Sequence, residues 1–428
     1  MNGKNVNLNR ALGGGERQWW VQSLRVPCNI ALATCIDAPV DRAAFERAVI
    51  WLQRRYPLLA ASLEITAGEP RFVTGHAPPI ALTWAPRKSA DDWRAPTAKE
   101  LATPFPDEGP FVRFTVFAGK DATDVVLCVS HMLVDGLSMA QIFRDVIRYL
   151  HDPSIGDDPV PDHGTLDERA PQAYRKRWFP FFRYILGQVL GAPNDPARNA
   201  RLAAGYHGRL NVDWITTVLA PEETERLRTK SRAEGTTVQG ALTAAWALAV
   251  GEREKARYGR KRIAVHSPIN LRKLLEPPVV EEVGNYAAGT TTWLRCDAPL
   301  WDLARAVKGD IDQAIARGVP FANERLAKGA KRSAPRTSPR WIALRLWPDL
   351  GVTNLGSVTP PDTPLGAKVR EMHVLVALPV METLVCATVT IRGRLICDFH
   401  YCPDDVSREE ALRMVESAER HLKAAIDS

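Results

Sequence analysis

The stretch VSHMLVDGLS (129–138) combines residue types that can carry out acid–base chemistry. His131 follows an apolar run with the character of a strand, and Asp135 and Gly136 come directly before a helical pattern. An imidazole titrates near neutral pH, so at a strand end it can take a proton from a hydroxyl or amine that attacks a carbonyl. Asp135 can cap the helix or pair with a cation, and Gly136 permits a tight turn. Taken alone, the string favours an ordinary polar turn, because a single His-x-x-x-Asp-Gly string is common enough to arise by chance.

The elements that must position this motif are readable on both sides of it. Strand patterns cover 111–117 and 124–130, and a turn-like AGKDAT joins them. The apolar spacing in 137–150 predicts an amphipathic helix directly after the motif. An earlier helix is predicted within 41–63, with Asp41 as its N-cap and Pro57 at its end.

The second half of the chain repeats this mixture of strands and helices. A helix is predicted from Pro221 to Gly235, followed by a buried helix at 236–250. Strands are predicted at 211–220, 262–270, 369–378, 384–392 and 394–401. The proline-rich and polar stretches between 151 and 201 predict the boundary between the halves. The interleaving predicts an α/β (α+β) fold, with an N-terminal subdomain at 1–165, a basic aromatic linker at 166–205 and a C-terminal subdomain at 206–428.

The composition is that of a globular protein, with 45% hydrophobic and 25% charged residues in 428. No apolar run approaches the ~20 residues that span a bilayer, and the N-terminus lacks the apolar core of a signal peptide. A cytoplasmic protein is therefore expected. The net charge of +7 comes without any recognised reader motif, so no nucleic-acid partner is expected.

The seven cysteines have no framework spacing, and most of them lie in apolar runs, which predicts reduced, buried thiols. Cys397, His400 and Cys402 form the one tempting metal cluster, but strand alternation puts Cys397 on the opposite face from the other two. No metal site is predicted. Cys128 precedes His131 by an odd number of residues and is expected to be a buried thiol, not a nucleophile.

The run VSHMLVDGLSMAQIFRDV resembles the core motif of the condensation-domain and CoA-dependent acyltransferase superfamily. Four further stretches resemble landmarks of that superfamily in the expected order: FERAVIWLQRRYPLLAASL, PFPDEGPFVRFTVF, SPINLRKLLEPP…VGNYAAG and VTNLGSV. The resemblance implies two chloramphenicol acetyltransferase-like subdomains that form a V, with the active-site tunnel between them.

The resemblance also implies roles for single residues. His131 would be the catalytic base, and Asp135 would orient the loop through an ion pair with Arg272. Asn354 would help hold the developing oxyanion, and Gly136 completes the motif. The flanking hydroxyls of Ser130 and Ser138 are predicted to bind substrate. Arg272 as a surface charge and Asn354 as a turn cap remain alternatives.

Two departures favour a free-standing acyltransferase. Condensation domains usually carry a second histidine where this chain has Ser130, and the Asp-Phe-Gly-Trp-Gly segment of plant acyltransferases is absent. The expected reaction joins a thioester-borne acyl group, from acyl-CoA or an acyl-carrier protein, to an alcohol or amine in secondary-metabolite or lipid biosynthesis. No permanently bound cofactor is expected. The protein is expected to be a monomer that meets its donor in trans. The alternative is a catalytically silent docking or recruitment protein.

The segment YRKRWFPFFRYILGQVLG (174–191) has no counterpart in these landmarks. Its apolar residues could line the entrance for a long acyl chain, and its cations could meet an acidic carrier protein, a nucleotide phosphate or an anionic membrane surface. A helix packed between the domains is the alternative.

Overall fold

The computed structural model describes residues 7–156, 158–174, 178–192, 195–196, 198–200, 211–329, 347–378 and 384–427. Its helices are α1 (Gly14–Ser23), α2 (Arg42–Arg55), α3 (Arg94–Ala102), α4 (Gly136–His151), α5 (Trp178–Gly191), α6 (Pro221–Ala233), α7 (Val238–Tyr258), α8 (Leu300–Ala316), α9 (Val319–Ala327) and α10 (Arg408–Asp427). Its strands are β1 (Asn9–Ala11), β2 (Asn29–Ile36), β3 (Ala61–Thr66), β4 (Glu69–Thr74), β5 (Ala81–Pro86), β6 (Val112–Ala118), β7 (Thr123–Ser130), β8 (Asp213–Leu219), β9 (Arg262–Asn270), β10 (Ala287–Arg295), β11 (Leu350–Ser357), β12 (Val369–Val376), β13 (Leu384–Ile391) and β14 (Arg394–Tyr401).

Local sequence signals set the limits of the elements near the motif. The Asp41 carboxylate accepts a hydrogen bond from the Ala44 amide and caps α2, which gives way to a 3-10 turn beginning at Pro57. The Asp135 carboxylate caps α4 in the same way through the Ser138 amide. Helix α7 ends at Gly259, which adopts the left-handed conformation that glycine tolerates.

Two large sheets carry the fold. The first has the order β12-β2-β7-β6-β5 and the second the order β10-β9-β11-β13-β14-β8, beside a small sheet β1-β4-β3. Helices α2 and α4 share one apolar core with the first sheet, and α7 and α10 share another with the second. The predicted mixed α/β fold is confirmed.

The two halves are connected by more than the linker. Strand β12 follows β11 in the chain but pairs antiparallel with β2 of the first sheet. A third apolar cluster joins residues from both sheets, among them Ala31, Trp214 and Val385. The predicted subdomain limits stay a prediction, and the exchange of β12 means that the C-terminal half contributes a strand to the N-terminal sheet.

The linker region packs against the second half. Leu166 and Ala170 join a cluster with Ile269 and Phe321, and the inner face of α5 places Phe181 against α8 and α9. The outer face of α5 exposes four large apolar side chains at helical spacing: Phe179, Phe182, Leu186 and Leu190. None of the helices in the described part of the chain is both long and apolar enough to cross a membrane.

A buried ion pair crosses from one sheet to the other. His373 on β12 lies with Nδ1 3.1 Å from Oδ1 of Asp398 on β14. Burial on its own would lower the pKa of His373, but the carboxylates of Asp398 and Glu371 raise it to about 9. His373 is therefore a cation at neutral pH and is held between two carboxylates.

We expect this pair to make the stability of the protein depend on pH. The folded pKa of about 9 lies above the ordinary 6.5, so the contribution, up to about 3 kcal/mol, is complete below pH 6.5 and is lost as the pH rises through 9. The midpoint of chemical unfolding, measured between about pH 6 and 10, should fall across this window in the wild type and not in His373→Gln.

His421→Gln is the matched control, because His421 pairs with Glu252 at the protein surface. It should keep the wild-type pH dependence. Equal slopes for the wild type and His373→Gln would contradict the assignment.

Candidate active site

His131 stands at the end of β7, where the chain turns toward α4. Its backbone amide donates to the Cys28 carbonyl at 2.8 Å, and its own carbonyl accepts from the Asn285 side-chain amide at 2.9 Å. The Trp19 ring stacks on the imidazole, with the ring centroids 4.2 Å apart and the planes 15° apart. Trp19 of the first half therefore packs against the ring, while Asn285 of the second half holds the backbone of His131.

The hydrogen bonding of His131 fixes which ring nitrogen carries the proton. Nδ1 lies 3.0 Å from the Val134 carbonyl oxygen, and since a carbonyl only accepts, Nδ1 is the protonated nitrogen. Nε2 then has a free lone pair. Burial lowers the pKa of His131 below its ordinary value, while the bond to Val134 and the charge of Asp135 oppose the shift only in part. The ring is thus a neutral base near pH 7.

Asp135 does not face the imidazole but forms the predicted ion pair with Arg272. The two guanidinium nitrogens donate to the two carboxylate oxygens at 2.8 and 2.7 Å, and the backbone amides of Ser138 and Tyr286 each donate at 2.9 Å. Burial on its own would raise the pKa of Asp135, but Arg272 and these hydrogen bonds hold it below its ordinary value. The Arg272 guanidinium also lies over the Tyr286 ring, 5.1 Å from its centroid.

The Ser138 hydroxyl bonds to Arg272 of the Asp135–Arg272 ion pair and to the Gly284 backbone. Its hydroxyl is buried, accepts from Arg272 at 2.7 Å and from the Gly284 amide at 3.0 Å, and donates to the Gly284 carbonyl at 2.8 Å. Because the protein already uses these hydrogen-bonding positions, the structure departs from the substrate-binding role predicted for Ser138. The hydroxyl instead connects the motif to the Gly284–Tyr286 segment of the second half.

The remaining predicted residues divide between the cavity and its surroundings. Gly136 lines the cavity, and a Cβ there would lie 3.0 Å from the side chain of Leu355. Ser130 lines a separate cavity of about 40 Å³ beside Phe105 and Phe111, which does not support its predicted substrate contact at His131. Asn354 is not among the cavity-lining residues, and its Oδ1 accepts from the Gly356 amide at 2.8 Å, where the register of β11 shifts.

A cavity of about 120 Å³ opens between the halves at His131. Its walls come from α1, β2 and the motif on one side and from β9, β10, β11 and β13 on the other. The lining residues are Trp19, Cys28, Asn29, Ile30, His131, Asp135, Gly136, His266, Pro268, Ala287, Gly351, Val352, Thr353, Val376, Ala377 and Val385. The predicted site between two halves therefore exists as a cavity, and His131 reaches it.

Cysteine chemistry has little support in this cavity. Burial raises the pKa of the Cys28 thiol, which lines the cavity, to about 12, and it raises that of Cys128 to about 12 as well. Both thiols are protonated at neutral pH and are weak nucleophiles. Cys128 is buried, as expected.

In the described residues, one group of potential metal ligands lies close together away from the cavity. The ligand atoms of Cys35, Glu371 and His373 are all within 4.8 Å of one another. Burial raises the pKa of the Cys35 thiol, and His373 is already paired with Asp398. The group is accounted for as a buried ion-pair cluster.

Sequence reasoning missed Trp19, Asn285 and His266. Asn285 lies in the recognised VGNYAAG stretch and His266 in the predicted strand 262–270, whereas no signal pointed to the segment ERQWW that contains Trp19. Nothing in the order of residues indicated that these segments meet at His131, since each contact joins distant parts of the chain.

We expect removal of one partner of the Asp135–Arg272 pair to destabilise the protein strongly. Arg272→Met leaves a buried carboxylate without its counter-charge, at a cost of about 3–5 kcal/mol in the free energy of unfolding. Chemical unfolding measures this loss. The double variant Asp135→Asn/Arg272→Met should recover part of it, because no buried charge remains.

Arg295→Met is the matched control, since Arg295 pairs with Asp297 at the exposed surface. Its cost should stay at or below about 1 kcal/mol. A similar small loss for Arg272→Met would contradict the expected cost of leaving the Asp135 carboxylate buried without its counter-charge.

Residues 208–400 match the family described as phthiocerol/phthiodiolone dimycocerosyl transferase C-terminus. A segment comprising 37% of this chain is 26% identical to polyketide synthase PksN of Bacillus subtilis (strain 168). The match covers 3% of the length of that relative.

Three solved structures share the fold over nearly their full length. The TRI3 trichothecene 15-O-acetyltransferase of Fusarium sporotrichioides has a TM-score of 0.76 at 12% identity, with 99% of this chain and 96% of that chain covered. The first condensation domain of the CDA synthetase has a TM-score of 0.69 at 17% identity, covering 99% and 97%. Polyketide synthase associated protein 5 from Mycobacterium tuberculosis has a TM-score of 0.67 at 16% identity, covering 96% and 97%.

Proposed function

We propose that the protein transfers an acyl group from a thioester to a hydroxyl acceptor. Its resemblance to the condensation-domain and acyltransferase superfamily is confirmed. One observation carries the proposal. His131 donates from Nδ1 to Val134, which leaves Nε2 as a free base beside a cavity between the halves. The silent docking alternative has weaker support, because a docking protein has no need of an oriented, neutral imidazole there.

The proposed reaction needs no acyl-enzyme. His131 Nε2 takes the hydroxyl proton while the acceptor oxygen forms a bond to the thioester carbonyl carbon. The tetrahedral intermediate then collapses, the carbon–sulfur bond breaks, and the leaving thiolate takes the proton from His131. Asp135 acts at a distance by holding the loop through Arg272, so it is a positioning residue in this scheme.

The charge of the cavity wall favours a hydroxyl over an amine. Asp135 is the one carboxylate among the described residues that line the cavity, and its oxygens already accept hydrogen bonds from Arg272 and two backbone amides. An amine acceptor would arrive as an ammonium ion and find no counter-charge there. A neutral alcohol meets no such cost.

The donor is proposed to be a phosphopantetheine thioester, either acyl-CoA or an acyl-carrier protein. The names of the similar proteins refer to polyketide synthases, a condensation domain and acyl transferases, which supports a place in natural-product or lipid assembly. The protein is proposed to need no permanently bound cofactor and to act as a cytoplasmic monomer.

We expect free-thiol release from a panel of acyl-CoAs and acyl-carrier proteins, in the presence of alcohol acceptors, to depend on His131. His131→Ala should lose about 100-fold or more of the rate, since the general base is removed. Because the pKa of His131 is lowered, the rate should fall on the acid side only below about pH 6.5.

His76→Ala is the control, because His76 is exposed. It should leave the rate unchanged. Full activity in His131→Ala would exclude the proposed base, and amines reacting better than alcohols would contradict the choice of acceptor.

The outer face of α5 supports a proposed contact with an anionic membrane surface. Four exposed apolar side chains lie on one face of a helix whose segment 174–192 carries Arg175, Lys176, Arg177 and Arg183 and no acidic residue. Residues 175–177 lie outside the described part of the chain, so the basic character there is a sequence property. An apolar stripe beside basic charge is the pattern of an interfacial helix.

We expect the protein to sediment with phosphatidylserine-containing vesicles more than with phosphatidylcholine vesicles. Phe182→Ser/Leu186→Ser should reduce the bound fraction, because it removes apolar area from the stripe. Val280→Ser is the matched control, as Val280 is 84% exposed elsewhere on the surface. Equal sedimentation of the double variant and the wild type would contradict this contact.

A further inference from the structure

His266 brings a second imidazole to the cavity of His131. It lies on β9 of the second half, whereas His131 ends β7 of the first. The ring lies over Gly289 of the neighbouring strand, where an added Cβ would be 2.0 Å from Cε1 and 2.3 Å from Nε2. A residue without a side chain at position 289 therefore makes room for the imidazole beside the cavity.

The hydrogen-bonding groups of His266 are unused by the described part of the protein. Burial lowers its pKa to about 4, and no charged or hydrogen-bonding group offsets the shift. The ring is therefore neutral at physiological pH, with one N–H donor and one acceptor nitrogen. Asn29, another polar residue of the cavity wall, differs in this respect, because its side-chain amide already donates to the carbonyls of Glu100 and Thr103.

The residue predicted to hold the oxyanion does not line the cavity. Asn354 is not among the described lining residues, and its amide oxygen accepts from the Gly356 amide at 2.8 Å, so only its side-chain NH2 group could act as a donor. Acyl transfer through a tetrahedral intermediate nevertheless puts negative charge on the former carbonyl oxygen, and a fixed donor near that oxygen stabilises it. His266 supplies an unused donor on the wall contributed by the half opposite His131.

We propose that His266 donates its ring N–H to the thioester carbonyl oxygen and stabilises the oxyanion formed during acyl transfer. This inference rests on the proposed function. His131 Nε2 takes the acceptor proton as the new carbon–oxygen bond forms, and the electron pair of the carbonyl moves to the oxygen held by His266. The electron pair returns from the oxygen to re-form the carbonyl as the carbon–sulfur bond breaks. The thiolate takes the proton from His131, and His266 keeps its own hydrogen throughout.

The test compares His266→Ala with His266→Gln, which retains an N–H donor. Removing one oxyanion donor costs about 100-fold in kcat, so His266→Ala should lose about that much, with little change in the KM of the acyl donor. His266→Gln should recover part of kcat. His76→Ala is the histidine control, and unchanged thermal midpoints check that the variants fold.

A second measurement does not depend on turnover. Infrared difference spectra of acetyl-CoA and octanoyl-CoA, isotope-labelled at the thioester carbonyl, report a hydrogen bond as a shift of the carbonyl stretch to lower frequency. The wild type and His266→Gln should shift the stretch, and His266→Ala should not.

The outcomes separate the two proposals. If thiol release by the wild type depends on His131 and His266→Ala keeps the full wild-type kcat, the proposed reaction stands and the proposed role of His266 is overturned. A wild type that releases no thiol from any donor overturns the proposed function. In that case a carbonyl stretch that is not shifted in the wild type overturns the role of His266 as well.

Discussion

The site depends on one buried ion pair, between Asp135 of the first half and Arg272 of the second. Charges removed from water are stable only when every lone pair and hydrogen finds a partner. Here the two carboxylate oxygens are satisfied by the guanidinium and by the amides of Ser138 and Tyr286. The pair can form only when the two halves are in register. The same relative position of the halves sets the geometry of the cavity between them.

This pair also keeps the Asp135 carboxylate away from the imidazole of His131. Asp135 follows His131 by four residues, yet its carboxylate pairs with Arg272. The tautomer of His131 is set by the hydrogen bond from Nδ1 to the Val134 carbonyl. A carboxylate bound to the ring would have raised its pKa, whereas burial now lowers it and keeps the base neutral. His266, across the cavity, is kept neutral by the same exclusion of water.

The exchange of β12 gives the fold a second connection between the halves. Because β12 pairs with β2 in the first sheet and places His373 against Asp398 in the second, an ion pair crosses between the sheets at residues that do not themselves line the cavity. Separating the halves would break apolar packing and two buried ion pairs together. The two halves are therefore joined by contacts outside the linker as well as by the linker itself.

The sequence by itself determined the elements and the position of His131 at the end of a strand. Helix α4 and strands β7 and β9 follow from apolar periodicity and capping residues, which are local signals, and the motif around His131 with its partner Arg272 followed from a resemblance carried by contiguous residues. The buried state of Cys128 followed from its apolar neighbours.

Tertiary structure alone decided what surrounds the histidine. Ser138 was expected at the substrate and instead completes the ion pair, Asn354 is bonded to Gly356, and Trp19 and His266 arrive at the cavity from separate elements. The physical reason is that periodicity tells which face of a strand is apolar but not which distant strand lies across from it. Register, the crossing of β12 and the space left by Gly289 are properties of the packed sheets, and they set the contacts that no local pattern encodes.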